Sequence, residues 1–299
     1  MKPLLETLTA GTGYLEKRGV EEARLNMEHL LAHVLGCRRL DLYLRFSEIL
    51  REDDLAKLRD LTRRRAEGEP LQHLLGTVDF LGHELISDHR ALIPRPETEH
   101  LVDWLIREVK AGRLPLPTSL LDMATGSGCI GLTLASAWKD CRVQLADLSE
   151  DALDLARLNA SRLGLTAVHF VRSDLFEKIT GKYDLVTANL PYIPSAEIPA
   201  LSREVRRDPV LALDGGPDGL DIIRRFLSEV RPYLRSGARI ALEVGHDQGR
   251  EVAALSTAQG FTEVKILPDL AGVERFVLAV FPQELEISAS VAEPIGTAE

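Results

Sequence analysis

Apolar positions in the first 75 residues recur at helical spacing. Met27, Leu30, Leu31, Val34 and Leu35 fall at i, i+3, i+4, i+7 and i+8, and Leu55, Leu58 and Leu61 repeat the stripe, which sets one apolar face along each helix. Gly11, Gly13, Gly19 and Gly36 punctuate the run. The spacing predicts a small all-helical domain over 1–75, with faces enough for a bundle of four or five helices. From 76 the residues alternate apolar and polar around Gly82 and His83, which predicts a hairpin; 76–95 reads as the linker to a second domain, 96–282. There the period changes again. The runs SLLDM, RVQLADL, VHFVRSDL, YDLVTANL, ARIALEVG, VKIL and RFVLAV are short and apolar, and helical stretches such as SEDALDLARLNASRLG fall between them. This alternation predicts an α/β fold whose mostly parallel sheet is covered on both faces. The last two runs, split by PDLAGVE, predict an antiparallel closing hairpin. The tail, 283–299, is acidic and aperiodic and reads as disordered.

A length of 299 residues agrees with two domains. No apolar run nears the ~18 residues a membrane helix needs, and MKPLLETLTA lacks the basic start and apolar stretch of an export signal, so neither membrane nor export is expected. Cys37, Cys129 and Cys141 form no CxxC pair and leave one over. Reduced thiols in a cytoplasm, packed as small buried hydrophobes, are the expectation. A net charge of −10 argues against a nucleic-acid backbone as main partner, because such binding needs clustered Lys and Arg to release counterions. The one basic cluster, Arg63-Arg64-Arg65, reads as a solvated helix face. The eight histidines show no ligand spacing, so no metal is expected, and there is no GxSxG elbow.

The segment LLDMATGSGCIGLTLA reads as a strand, a glycine turn and a helix, and Gly126, Gly128 and Gly131 satisfy GxGxxG spacing. Such a turn exposes backbone N–H groups at a helix N-terminus to either a pyrophosphate or the carboxylate of an amino-acid-like cofactor. Asp122 separates the two. Its charge would repel a pyrophosphate, whereas it can accept hydrogen bonds from the ammonium of a methionine moiety, which favours S-adenosylmethionine cradled by Ala124, Thr125, Gly126, Ser127 and Gly128. Asp147 ends the next strand, where a carboxylate takes both ribose hydroxyls, and Ser149 is placed to cap the following helix. Asp174 ends the third strand and could accept the adenine amino group while Leu175 packs on the ring. One such acid could be a helix-start charge. Three at successive strand ends point to a ligand.

The fourth strand ends in Asn189-Leu190-Pro191-Tyr192, on the edge where the sulfonium would sit, so Asn189 is expected to border the cofactor as well as the substrate. Pro191 keeps Leu190 extended, so the Leu190 carbonyl and the Asn189 side-chain oxygen form two acceptors that can grip both hydrogens of an NH2 group. An amide nitrogen is a poor nucleophile because its lone pair is delocalised. Holding both N–H bonds out of plane would expose that lone pair to the methyl group, so positioning replaces a strong base. Tyr192 would offer a flat wall to a planar substrate. Arg95 and Glu97 lie beside prolines in a stiff segment, where a structural salt bridge is one reading. Glu243 and Gln248, after the fifth strand, read as holding their loop.

The ATGSG, ADLSEDAL, SDLF and NLPYIP stretches resemble class I S-adenosylmethionine-dependent methyltransferases acting on planar NH2 groups. RRRAEGEPLQHLLG, ALIPRPETEHLV and PDLAGVER resemble more narrowly the HemK family, which modifies the glutamine of the Gly-Gly-Gln loop in class I peptide chain release factors. The likeness spans nearly the whole chain, and IPRPETE is its most specific piece. It implies a Rossmann-like class I methyltransferase sheet, a helical N-terminal domain that helps hold the release factor, and the Asn189 to Tyr192 corner as the glutamine site. The resemblance of IPRPETE also implies a place bordering the methyl-transfer site, the equal alternative for Arg95 and Glu97. Two positions depart from the family: Ala124 replaces a glycine and Leu190 a proline. Ala124 would cost cofactor affinity if its φ had to be positive. Rival readings are a ribosomal protein glutamine methyltransferase, an adenine N6 methyltransferase on DNA or RNA with Tyr192 stacked on a flipped base, an NAD-dependent oxidoreductase and a nucleotide-sensing module. The acidic charge disfavours the nucleic-acid reading, and Asp122 disfavours the dinucleotide one.

Overall fold

The computed structural model describes residues 2–282, so the predicted tail lies outside the described residues. Helices α1 (Leu4–Glu16), α2 (Ala23–Leu35), α3 (Glu52–Ala66) and α4 (Leu71–Leu75) form the N-terminal part, with a 3₁₀ turn over Arg39–Leu44 between α2 and α3. Their apolar stripes meet in a core of their own, built on Leu4, Leu8, Leu15, Met27, Leu30 and Leu31. Gly36 ends α2 in the left-handed region at φ +59°, which a residue without Cβ adopts at little cost.

Strands β1 (Thr77–Phe80) and β2 (His83–Ile86) pair antiparallel as the hairpin. Its turn sits one residue earlier than predicted, because Leu81 and Gly82, at φ +49° and +77°, make the tight connection and His83 already pairs. Phe80 and Leu85 carry the hairpin into the core of the larger part. Helix α5 (Pro96–Lys110) follows with proline at its first position, where a missing N–H costs nothing.

Beyond it come β3 (Ser119–Met123), α6 (Cys129–Ala137), β4 (Arg142–Asp147), α7 (Glu150–Arg162), β5 (His169–Arg172), β6 (Tyr183–Asn189), α8 (Asp221–Glu229), β7 (Leu234–Glu243), α9 (Gly249–Ala258), β8 (Thr262–Pro268) and β9 (Glu274–Val280). The seven strands order as β5-β4-β3-β6-β7-β9-β8, and β9 alone runs antiparallel to its neighbours. Neighbouring residues on one strand serve opposite faces: Leu120 and Leu185 pack with α5 and α6, Leu121 and Val186 with α8. No helix of the described residues is long and apolar enough to cross a membrane.

Between β6 and α8 the chain makes 3₁₀ turns at Ile198–Ala200, Val205–Arg207 and Val210–Ala212, a segment without periodicity in the sequence. It reaches the helical part. Arg203 donates to the Arg18 carbonyl at 3.1 Å and Arg65 to Glu204 at 2.5 Å. This corrects the solvated reading of Arg65. Arg63 and Arg64 do pair with surface acids, but Arg65 is 3% exposed and also donates to Asn26 Oδ1 at 2.6 Å. Arg65→Met is expected to lower unfolding free energy by about 1–3 kcal/mol, since Asn26 and Glu204 lose a charged donor. Urea unfolding reads this, and an unchanged midpoint would refute the junction role. The three cysteines are free and half-buried rather than fully buried. Burial pushes the Cys129 thiol up to about 12 and the Cys141 thiol up to about 11.

Candidate active site

The parallel register sets Met123 opposite both Ala146 and Ala188, so the C-terminal ends of β3, β4 and β6 meet at one sheet edge. A cavity opens there. Its walls include 124–127, Asp147, Ser149, Asp174, Leu175 and the Asn189 to Pro191 corner from the sheet side, with Arg90, Arg95, Thr98 and Leu211 facing them. Arg95 pairs with buried Asp208 at 2.6 Å, so it is at once a wall residue and half of a salt bridge tying the hairpin linker to the 3₁₀ segment.

Asp122 does not reach this cavity. It is fully buried, its Oδ2 accepts from Thr125 Oγ1 at 2.6 Å and from the Gly131 N–H at 3.1 Å, and its Oδ1 accepts from Thr187 Oγ1 at 2.8 Å. The predicted direct grip on an ammonium is thereby corrected: the carboxylate braces the turn from beneath. Burial raises its pKa to about 6 against those three donors. Gly131 makes the arrangement possible, because a Cβ there would strike Leu145 and crowd Asp122.

Within the turn, Gly126 and Gly128 take φ +56° and +84°, and a Cβ on Gly128 would come within 2.7 Å of Leu132. Gly128 is the N-cap of α6 and lies outside the cavity lining, whereas Thr125 and Ser127 line it at 5% and 2% exposure. Ala124 also adopts a positive φ, +54°, a conformation that costs a residue with a Cβ about 1 kcal/mol or more. Ala124→Gly should therefore raise stability by about 1 kcal/mol. Thermal unfolding checks this, and a lowered midpoint would contradict it.

Asp147 ends β4 inside the cavity. Its Oδ2 accepts from the Gly126 N–H at 2.8 Å and its Oδ1 from the Ser149 N–H at 2.9 Å. Burial raises its pKa and these backbone donors lower it. Each oxygen keeps a lone pair for a hydroxyl. Ser149 caps α7 by accepting from the Ala152 N–H. Asp174 and Leu175 line the far side. Asp174 Oδ1 is held by Arg225 at 3.1 Å, leaving the other oxygen open, and Leu175 is 6% exposed at φ +43°.

Asn189 closes β6 and lines the cavity between the glycine turn and Thr98. Its Nδ2 donates to Thr98 Oγ1 at 3.3 Å, and Thr98 Oγ1 donates to Glu243 Oε2 at 2.7 Å. Leu190 buries its side chain to 2% exposure, so only its main chain is left for a ligand, and Pro191 follows in the wall. Tyr192 is not among the residues that line this cavity. Its ring packs partly buried on the apolar cluster beneath β6, and its carbonyl accepts from Gln248 Nε2 at 2.9 Å. Gln248 thus ties the β7 loop to the corner, its Oε1 accepting from the Gly245 N–H.

Residues 6–76 match the family described as the PrmC N-terminal domain, and 103–204 match the methyltransferase small domain. A release factor glutamine methyltransferase of Geobacter sulfurreducens is 39% identical over 267 residues, covering 89% of this chain and 92% of the relative. That of Deinococcus radiodurans is 40% identical over 276 residues, covering 92% and 98%. The chain belongs to the release factor glutamine methyltransferases. Two solved structures share the fold of this family member. The hMettl16 catalytic domain, in complex with an RNA hairpin, has a TM-score of 0.54 at 13% identity, over 78% of this chain and 82% of that one. The Thermus thermophilus 16S rRNA methyltransferase RsmC, in complex with AdoMet and guanosine, has a TM-score of 0.50 at 16% identity, over 68% and 49%. At such identities the likeness speaks for the fold alone. The matched 6–76 segment of this glutamine methyltransferase coincides with the helices that carry their own core.

Proposed function

We propose that this protein transfers a methyl group from S-adenosylmethionine to the side-chain amide nitrogen, N5, of the glutamine in the Gly-Gly-Gln loop of class I peptide chain release factors, in the cytoplasm. The observation that carries this reading is the Asn189 carboxamide, set at the rim of a cavity built on a glycine turn. The donor set suits the cofactor. Backbone N–H groups at the start of α6 can meet its carboxylate, Asp147 its ribose hydroxyls, and Leu175 with Ile222 its adenine face. When bound, S-adenosylmethionine supplies an electrophilic methyl group on a positively charged sulfur.

The protein's own residues orient and enclose. The Asn189 oxygen and the Leu190 carbonyl accept the two amide hydrogens, which turns the nitrogen lone pair out of conjugation and toward the cavity. An uncharged acceptor pair suits an uncharged nucleophile whose surplus proton passes to water once the methyl group has moved. Pro209, Leu211 and Ala212 of the 3₁₀ segment line the cavity together with Arg95. Labelled S-adenosylmethionine and a release factor, with the loop glutamine intact or replaced by Ala, test the assignment. Label is expected only in the intact factor. Equal label in both would defeat it.

A further inference from the structure

The hydroxyl of Thr98 has one hydrogen, and the structure spends it. At 2.7 Å from Glu243 Oε2 the hydroxyl is the donor, because a carboxylate can only accept. Thr98 therefore meets Asn189 as an acceptor, and Asn189 must turn its Nδ2 to it, as the 3.3 Å contact shows. A planar carboxamide that points its nitrogen one way points its oxygen the other. The three residues come from α5, β6 and β7, and Asn189 lies directly opposite Glu243 in the strand register. Glu243 and Thr98 are 1% and 2% exposed, so water does not compete for the bond between them.

We propose that Glu243, acting through Thr98, is a positioning residue that fixes which end of the Asn189 carboxamide faces the substrate, presenting its oxygen, not its nitrogen, to the amide hydrogens. The inference rests on the methyl-transfer reading above and deepens it. With Glu243 ionised, both groups that Asn189 Nδ2 meets can only accept from it: Thr98 Oγ1, whose hydrogen is spent on Glu243, and the Glu243 carboxylate itself. A neutral group at 243 can donate instead, which frees the Thr98 hydroxyl to donate to the Asn189 oxygen and reverses the carboxamide. Its nitrogen would then confront the substrate's own N–H bonds.

The neighbours of Glu243 bear on when that happens. Burial pushes its carboxyl up to about 7, Thr98, Arg275 and Asn189 pull it down, and Glu97 at the start of α5 pushes it up. Tyr192 and Cys129 also feel its charge. His100, further along α5, sets its ring edge-on against Phe276. Below about pH 7 the protonated acid is a donor, so the rate is expected to fall as pH drops and to level off above it.

The test compares wild type, Glu243→Gln, Thr98→Val and Thr98→Ser. Both Glu243→Gln and Thr98→Val should lower kcat at least ~10-fold while the Kd for S-adenosylmethionine and the KM for the release factor hold within about threefold. Thr98→Ser, which keeps the hydroxyl, should restore kcat to within about threefold of wild type. Wild type should show an acid limb in kcat that Glu243→Gln lacks. Wild-type kcat in Thr98→Val, or no rescue by Ser, would overturn the relay. A second readout needs no turnover: the Asn189 side-chain NH2 signals in a 15N-labelled sample should shift between pH 6 and 8 in wild type, a range set by the Glu243 carboxyl near 7, and stay fixed in Glu243→Gln. A fixed wild-type signal would sink the relay even if the substrate reading held. Absence of label in the wild-type arm alone would sink the substrate reading instead.

Discussion

Asn189→Ala is expected to lower kcat for methyl transfer by about 10²–10³-fold, with the Kd for S-adenosylmethionine within about threefold of wild type. The side chain sits at the end of β6, beyond the residues that hold the turn, and its nitrogen is engaged by Thr98. Truncation removes one of two acceptors for the amide hydrogens and leaves Asp147, Thr125 and Leu175 as they were. Planarity then keeps the nitrogen lone pair delocalised. Isothermal titration with the cofactor, beside single-turnover transfer, separates the two quantities. A variant that lost cofactor affinity in proportion to rate would place Asn189 in the cofactor cradle rather than at the nucleophile.

Asp147→Ala should show the reverse. Two hydrogen bonds to a charged oxygen are each worth about 1.5–3 kcal/mol, and their loss should weaken cofactor binding by about 10²-fold or more. The Gly126 and Ser149 N–H groups, which the carboxylate accepts at 2.8 Å and 2.9 Å, would also lose their partner, so the turn loosens. At saturating cofactor kcat should return to within about threefold. Titration of the two proteins side by side decides it. An unchanged Kd would show that Asp147 serves only the backbone of the turn.

Periodicity carried the sheet far. The central runs became strands because both faces of a parallel sheet are buried and each run needed only to be short and apolar, whereas the edge strands β5 and β8 are only partly buried. The Asn189 corner was legible for a related reason: a polar residue closing such a run has to stand at the sheet edge. Asp122 was misread because a carboxylate at a strand end can face either the ligand or the covering helix. The deciding sign was Gly131, nine residues on, whose missing side chain lets α6 lie against that carboxylate.

Arg65 was recoverable from the sequence. It continues the stripe of Leu55, Leu58 and Thr62 on α3, all of them buried, whereas Arg63 and Arg64 do not. Glu243 carried a fainter signal, a charge closing the apolar stretch Ile240, Ala241, Leu242 at the end of β7. Its partner Thr98 is 145 residues away, and no spacing rule joins them. The 3₁₀ segment over 198–212 has neither helical nor strand period, and its place over the cavity follows from ion pairs such as Arg95 with Asp208 that only the fold assembles.

The most direct test is a crystal structure of the protein with S-adenosylhomocysteine and a Gly-Gly-Gln segment of a release factor. The glutamine nitrogen is expected within about 2.7–3.2 Å of both the Asn189 side-chain oxygen and the Leu190 carbonyl, with the Asn189 nitrogen still on Thr98. A glutamine nitrogen held by any other pair, or an Asn189 carboxamide turned the opposite way, would contradict that arrangement.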